Sequence, residues 1–383
     1  MLDHASAVTA ARAVAERTLL PQAAKNDASG TFSEEAIAAL GEAGLLGLTV
    51  PAAFGGSGLG PRTFAEVSSA LAEADPSVAM IYMMHVCGVA CLAAGASRSG
   101  GARAALEAAA AGKHLSTLAF SEKGSRSHFW APVSRAVRTG TGVELSALKS
   151  WVTSAGHADS YIVSAQSPDA KGPTDTALYL VLKGQAGMNV AGAWDAMGMR
   201  SNAASPMSLE ASKIPSDHML IAEGEGFKAM LEVVLPLFCL GSAAVSLGIC
   251  RAAVASTAGH LKSARFEHLG TSLGEALPNL RANLATMQID TDGLAARLTD
   301  LVGHLEAPGE LTVLRVLESK ASAGDVGISV TQLAMRTCGG AAFSRHTGLE
   351  RYFRDAQASA VMAPTGDVLR EFIGKALLGI PLF

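Results

Sequence analysis

The sequence predicts an α+β protein with an N-terminal α-helical domain, a middle antiparallel β-sheet domain and a C-terminal four-helix bundle. Three observations predict it. Ala and Leu recur with helical spacing from Ala5 to about Lys113, short β-like runs crowd the stretch from Leu115 to Ala222, and helical spacing returns in long segments from Gly226 onward. The chain accordingly divides at 1–114, 115–222 and 223–383.

Taken in order, Ser33-Glu34-Glu35-Ala36 reads as a helix start. A serine oxygen there accepts from a first-turn amide, and the glutamates sit at the positive end of the helix. The stretch Val50-Pro51-Ala52-Ala53-Phe54-Gly55-Gly56-Ser57-Gly58 is too rich in Gly and Pro for helix. With no strand before it and no Gly-Lys-Ser/Thr after it, it reads as a turn rather than a phosphate cradle. In the middle, Ser160-Tyr161-Ile162-Val163-Ser164-Ala165 and Ala177-Leu178-Tyr179-Leu180-Val181-Leu182 are strand-like and bounded by Gly, Pro, Asp and Ser. Breaks near Glu267–Leu277, Ala307–Gly309 and Gly339–Gly348 divide the last domain into four helical segments.

Composition narrows the function classes. With 49% hydrophobic and 17% charged residues, the chain is not mainly disordered, and its apolar excess predicts a subunit interface. Lys+Arg 30 against Asp+Glu 34 leaves no basic surplus for a phosphate backbone, so nucleic acid is not an expected partner. Cys87, Cys91, Cys239, Cys250 and Cys338 lie scattered in apolar runs, which predicts reduced thiols in a cytoplasmic protein. The N-terminus has no long apolar core and does not read as a signal peptide. Met230–Cys250 is nearly long enough to cross a bilayer, but Glu232, Pro236 and the lack of flanking basic residues predict a buried helix instead. No metal-ligand spacing such as H-E-x-x-H or C-x-x-C occurs, so no metal is expected.

Five stretches then carry a resemblance. They are Gly44-Leu45-Leu46-Gly47-Leu48-Thr49-Val50-Pro51 with Phe54-Gly55-Gly56-Ser57-Gly58; Leu118-Ala119-Phe120-Ser121-Glu122-Lys123-Gly124-Ser125-Arg126-Ser127; Lys149-Ser150-Trp151-Val152-Thr153-Ser154-Ala155 with Ala158-Asp159; Ala196-Met197-Gly198-Met199-Arg200-Ser201 leading to Ile214-Pro215; and Leu349-Glu350-Arg351-Tyr352-Phe353-Arg354-Asp355-Ala356. Together they resemble the acyl-CoA dehydrogenase superfamily of flavoproteins over nearly the whole chain. The resemblance implies FAD, or FMN in a monooxygenase relative, held between the middle sheet and the bundle. Phe120 and Ser121 would lie at the flavin, Ser127 would face both flavin and substrate, and Trp151 would wall the ring with Thr153 beside it. His128 replaces the family's usual Asp and Lys123 its usual Pro.

In the bundle, Arg265 with Leu269-Gly270 resembles an element that reaches the cofactor pyrophosphate across a subunit boundary, one residue longer than usual. Cys338-Gly339-Gly340 resembles the loop near the adenosine, with Arg336 in place of Gln. Thr365 matches the Thr beside the flavin. The resemblance also implies that Arg354 and Asp355 bond within the bundle.

Most of the family uses a Glu to remove the substrate α-proton, and the matching position here is Ala363, a side chain that cannot accept a proton. An alternative family position, within Val234-Leu235-Pro236-Leu237-Phe238-Cys239, offers neither Glu nor Arg. The remaining candidates for the catalytic group are Asp367, His128, His85 and Glu232, with His85 also expected at the substrate tunnel. Three functions follow: an FAD-dependent oxidoreductase of an acyl thioester such as acyl-CoA, with a non-standard base; a flavin-dependent monooxygenase using reduced flavin and oxygen on a small molecule; or a non-catalytic flavin-binding homologue. Expected partners are an electron-transfer flavoprotein or a flavin reductase, and a second copy in a homodimer or homotetramer.

Overall fold

The computed structural model describes residues 1–383. Asp3 caps the first helix, α1 (His4–Val14): its carboxylate accepts from Ser6 N at 2.8 Å, and Ser6 Oγ accepts from Asp3 N at 3.0 Å. A π-helical turn, Ala15–Leu19, leads into α2 (Leu20–Ser29). Ser33 starts α3 (Glu34–Glu42), as its sequence predicts, by accepting from Ala36 N at 3.4 Å. The Gly-rich loop that follows is a turn, in which Gly58 N donates to Val50 O at 2.9 Å. A Cβ on Gly56 would lie 2.1 Å from Val50 O, so only glycine closes it.

Asp75 separates α4 (Pro61–Ala74) from α5 (Pro76–Gly95) and caps the latter, accepting from Ser77 N at 2.9 Å and Val78 N at 3.3 Å. α6 (Gly100–Ala110) ends the helical third. Two helical stretches, Pro76–Gly95 and Gly226–Ser263, are long and apolar enough to cross a bilayer, yet 83% and 72% of their most apolar windows are buried inside the protein. Both are core helices. All five cysteines are buried free thiols.

The middle domain holds β1 (Ser116–Ala119), β2 (Val137–Thr139), β3 (Gly142–Val152), β4 (Ser160–Gln166), β5 (Thr176–Leu182), β6 (Met188–Val190), β7 (Ser205–Pro215) and β8 (Met219–Ile221). They form two four-stranded sheets, ordered β1-β4-β5-β8 and β2-β3-β7-β6. Pairing is antiparallel except for β1 with β4, because the chain leaves the first sheet after β1, builds β2 and β3 in the second, and returns in the same direction. Register shifts interrupt β3 against β7, one of them between Lys149 and Val152. Trp151 lies in that bulge with φ 59°, which turns its indole off the sheet's regular alternation.

The last domain runs from α7 (Gly226–Ala229) through a π-helical turn, Met230–Val234, into α8 (Leu235–Ser263). A hairpin of β9 (Arg265–Phe266) and β10 (Thr271–Ser272) and the short α9 (Leu273–Ala276) precede α10 (Pro278–Glu306) and α11 (Thr312–Cys338). After α12 (Gly340–Phe343), the final segment splits into α13 (Leu349–Val361) and α14 (Gly366–Leu378) at the turn containing Pro364. α8, α10, α11 and α13 make the bundle, and α8 also packs on α4. One continuous cluster of 92 buried apolar residues therefore joins all three domains.

Polar contacts reinforce that union, and they correct the expectation for Arg354 and Asp355. Neither bonds chiefly within the bundle. Arg354 donates to Asp27 Oδ1 and Oδ2 at 2.9 and 2.6 Å, and to Met197 O at 3.0 Å. Asp355 accepts from Met199 N at 2.6 Å, Arg351 donates to Ala74 O at 3.2 Å, and Arg200 donates to Asp27 O at 2.8 Å. A Cβ on Gly198 would come within 2.5 Å of Arg354 O, so the two backbones touch here. Burial, partly offset by hydrogen bonds and Arg351, pushes Asp355 up to about 7 and Asp75 up to about 6.

Candidate functional site

The loop after β1 is anchored from below by a buried ion pair. Lys149 Nζ, fully enclosed on β3, donates to Glu122 Oε1 at 2.6 Å and to Ser164 O at 2.6 Å. Glu122 Oε2 accepts from Val133 N and Ser134 N at 2.7 and 2.8 Å, closing the loop into a ring. Burial raises the Glu122 carboxyl, but the Lys149 ammonium and these hydrogen bonds outweigh it and hold the group below its ordinary value. Glu122 is thus fully committed to structure. Above it, Phe120 stacks on Phe129 at 6.4 Å, and Phe129 meets Trp130 edge-on at 5.2 Å.

So held, the loop presents Ser127 to the start of α14. Thr365 N donates to Ser127 Oγ at 3.0 Å, and Ser127 Oγ lies 3.4 Å from Thr365 Oγ1. Two residues 238 apart in the chain, both expected at the cofactor, are brought into contact across the sheet–bundle junction. A cavity of about 450 Å³ adjoins this contact, lined by His128, Trp130, Asp367, Phe372, Lys375 and Phe383 among others. Its wall is aromatic, with Phe383 against Trp130 at 5.4 Å and Phe372 at 5.3 Å. His128 stacks on Trp130 at 5.0 Å. Two of the candidate ionisable groups, His128 and Asp367, therefore share one cleft, both exposed.

At the sheet edge, Ser150 N donates to Ser121 O at 2.9 Å, which sets Ser121 beside the β3 bulge. Trp151 is 64% exposed and rests edge-on against Trp194 at 5.6 Å. The hydroxyls of Ser121 and Thr153 have no hydrogen-bond partner within the chain. An open indole face with free hydroxyls beside it fits a flat, hydrogen-bonding ring such as the flavin that the motifs imply.

The remaining cofactor candidates form a separate group. Arg265 is exposed on the β9–β10 hairpin and donates to Gly270 O; Arg336 is exposed in the last turn of α11. Gly339 has φ 55°, and a Cβ on Gly339 or Gly340 would meet nothing within 4 Å, so the backbone there is bare. No hydrogen bond or ion pair ties Arg265, Arg336, Gly339 or Gly340 to the sheet domain of the same chain.

Two candidates fall away from the cleft. His85 was expected at the substrate tunnel, but it is wholly buried and both ring nitrogens are taken: Nε2 donates to Leu46 O at 2.8 Å, and Nδ1 accepts from Ser116 N at 3.1 Å. Burial pushes its pKa down to about 4, so it stays neutral and serves as a core tie between α5, the Leu46 turn and β1. Glu232 is exposed on the Met230–Val234 turn, outside the cavity lining.

Sequence reasoning missed Lys320. This α11 side chain is 1% exposed and donates to Ser359 O, Met362 O and Pro364 O at 3.1, 3.0 and 2.9 Å, bracketing Ala363. Its one signal is a lysine set among the small residues Ser319 to Gly324, on the face that helical spacing buries.

Comparison with known proteins agrees with this architecture. Family models match as acyl-CoA dehydrogenase N-terminal domain over residues 2–103, middle domain over 117–212 and C-terminal domain over 224–378. The chain is 28% identical to cyclohex-1-ene-1-carbonyl-CoA dehydrogenase of Geobacter metallireducens across 96% of both proteins. Butyryl-CoA dehydrogenase of Megasphaera elsdenii has the same fold, with a TM-score of 0.91 at 24% identity over 99% of each chain. FMN-bound TdsC of Paenibacillus sp. A11-2 follows at a TM-score of 0.86 and 20% identity over 98% of each. With its three domains matched in order along almost its entire length, the chain belongs to the acyl-CoA dehydrogenase family of flavin-dependent oxidoreductases.

Proposed function

We propose that this protein is an FAD-dependent oxidoreductase of an acyl thioester, whose substrate enters the cleft beside Ser127 and Thr365. The observation that carries the reading is the contact of those two hydroxyls, with His128 and Asp367 lining the cavity next to it. Trp151 would wall the ring, with Ser121, Thr153, Ser127 and Thr365 offering hydrogen bonds at its edge and Phe120 packing the loop beneath. Arg265, Arg336, Gly339 and Gly340 would hold the nucleotide end of the cofactor of a second copy, which makes the active form a homodimer or homotetramer. Bound FAD supplies the two-electron acceptor that oxidation of a thioester at Cα and Cβ requires.

Ala363, at the family's usual Glu position, takes no part in proton transfer. We assign the α-proton to Asp367, the carboxylate one helical turn further along, with the Trp130, Phe372 and Phe383 wall keeping water from the reacting carbons. An apolar Ala363 beside an aromatic cavity also suits a monooxygenase that takes a small molecule and FMN or FAD reduced elsewhere. Anaerobic mixing of the FAD-loaded protein with a panel of acyl-CoA thioesters separates the readings. Loss of visible flavin absorbance supports thioester oxidation, with an electron-transfer flavoprotein as the natural acceptor. Absorbance lost only on adding a flavin reductase with its reductant favours the monooxygenase. A protein that takes up flavin and responds to neither is a non-catalytic homologue.

A further inference from the structure

The four residues between α13 and α14 carry Ala363 and Thr365 across the mouth of the site. Within them, the carbonyl of Pro364 and the amide of Thr365 belong to one peptide group, which is planar and rigid. Lys320 Nζ grips its oxygen at 2.9 Å, and Ser127 Oγ accepts from its nitrogen at 3.0 Å. The same plane is thus held from opposite ends, once by the bundle core and once by the sheet-domain loop. Fixing the carbonyl direction fixes the direction in which the amide points.

Lys320 has no other employment. An ammonium has three donors, and all three are spent on the carbonyls of Ser359, Met362 and Pro364. No carboxylate touches it; the negative end of α13 and the ring of Phe238, 5.9 Å from Nζ, are its surroundings. We infer that Lys320 is a positioning residue for the cofactor site, orienting the Pro364–Thr365 peptide so that Thr365 and Ser127 stand correctly against the flavin. Burial pushes its pKa down to about 8. This rests on the reading of the Ser127–Thr365 contact as part of the FAD site.

The test is a double-mutant cycle on FAD affinity, read by quenching of flavin fluorescence during titration of the apoprotein. Lys320→Gln and Ser127→Ala should each weaken FAD binding about tenfold, and the double variant should be no weaker than the worse single one. Lys320→Met is the harsher substitution; if it fails to fold, Lys320→Gln, which keeps an amide donor, carries the cycle. His85→Ala serves as the control for general destabilisation: its melting temperature should drop while FAD affinity stays within about twofold of wild type. Multiplying losses in the double variant, or a loss in Lys320→Gln no greater than in His85→Ala, overturns the inference while leaving the FAD reading intact. Wild-type protein that takes up no FAD overturns both.

Discussion

Where Asp27, Arg351, Arg354 and Asp355 meet, each charged side chain is buried or half-buried and tied to the backbone or side chain of another domain, with the α5 cap Asp75 buried near Arg351. Along the cleft beside Ser127, by contrast, His128 and Asp367 are exposed and their side chains bond to no other domain. Strongly shifted ionisation usually points to chemistry. In this molecule it marks joinery. The displaced groups, His85 at about 4 and Asp355 at about 7, are committed to holding elements together.

That contrast is open to attack at four points. If the cleft performs the chemistry, Asp367→Asn should slow flavin reduction by a reactive thioester by roughly 10²–10⁴-fold in anaerobic stopped-flow, while His128→Gln changes it far less. A rate unchanged in Asp367→Asn moves the proton acceptor elsewhere. Glu122→Ala should strand the Lys149 ammonium in the core and cost about 3–5 kcal/mol in urea unfolding, because breaking a buried pair leaves one charge uncompensated.

Asp355 tests the junction by pH. Its folded pKa is raised from 3.8 to about 7, so the folded state keeps a proton that the unfolded chain has released. Its contribution is complete below pH 4 and is lost as pH rises through 7. Unfolding free energy measured across that window should fall less steeply in Asp355→Asn, whose side-chain oxygen still accepts from Met199 N. The smallest expected effect is at the sheet edge. Trp151→Ala should leave the monomer's stability within about 0.5 kcal/mol, since the indole is largely exposed, yet weaken FAD binding by about 0.5–1.5 kcal/mol; Trp151→Phe should recover part of that.

Much of this was legible in the chain. Texture alone separates helix from sheet, because Ala and Leu at helical spacing and β-branched runs between Gly and Pro are local properties. The family resemblance groups Ser127 with Thr365 at one cofactor, and nothing local says that they touch. What escaped were partners set by long-range packing. Arg354 finds Asp27 across 327 positions and Asp355 finds Met199 across 156, so a reading of the bundle alone kept both inside it. Lys320 escaped for a related reason: a lysine in a helix looks like surface until the neighbouring turn supplies carbonyls for all its donors. His85 misled because an apolar helix with one histidine has the same pattern whether the ring faces a ligand or a backbone oxygen.

The shared knot at Arg354 limits how this protein can be recombined with its kin. Residues from all three domains interlock there, and Arg351 Nε and Nη1 already have no partner. Grafting a foreign sheet or N-terminal helices onto this bundle would strip further buried charges of their counterparts. A viable chimera must therefore inherit Asp27, Ala74, Gly198, Met199 and the Arg351–Asp355 run from a single parent.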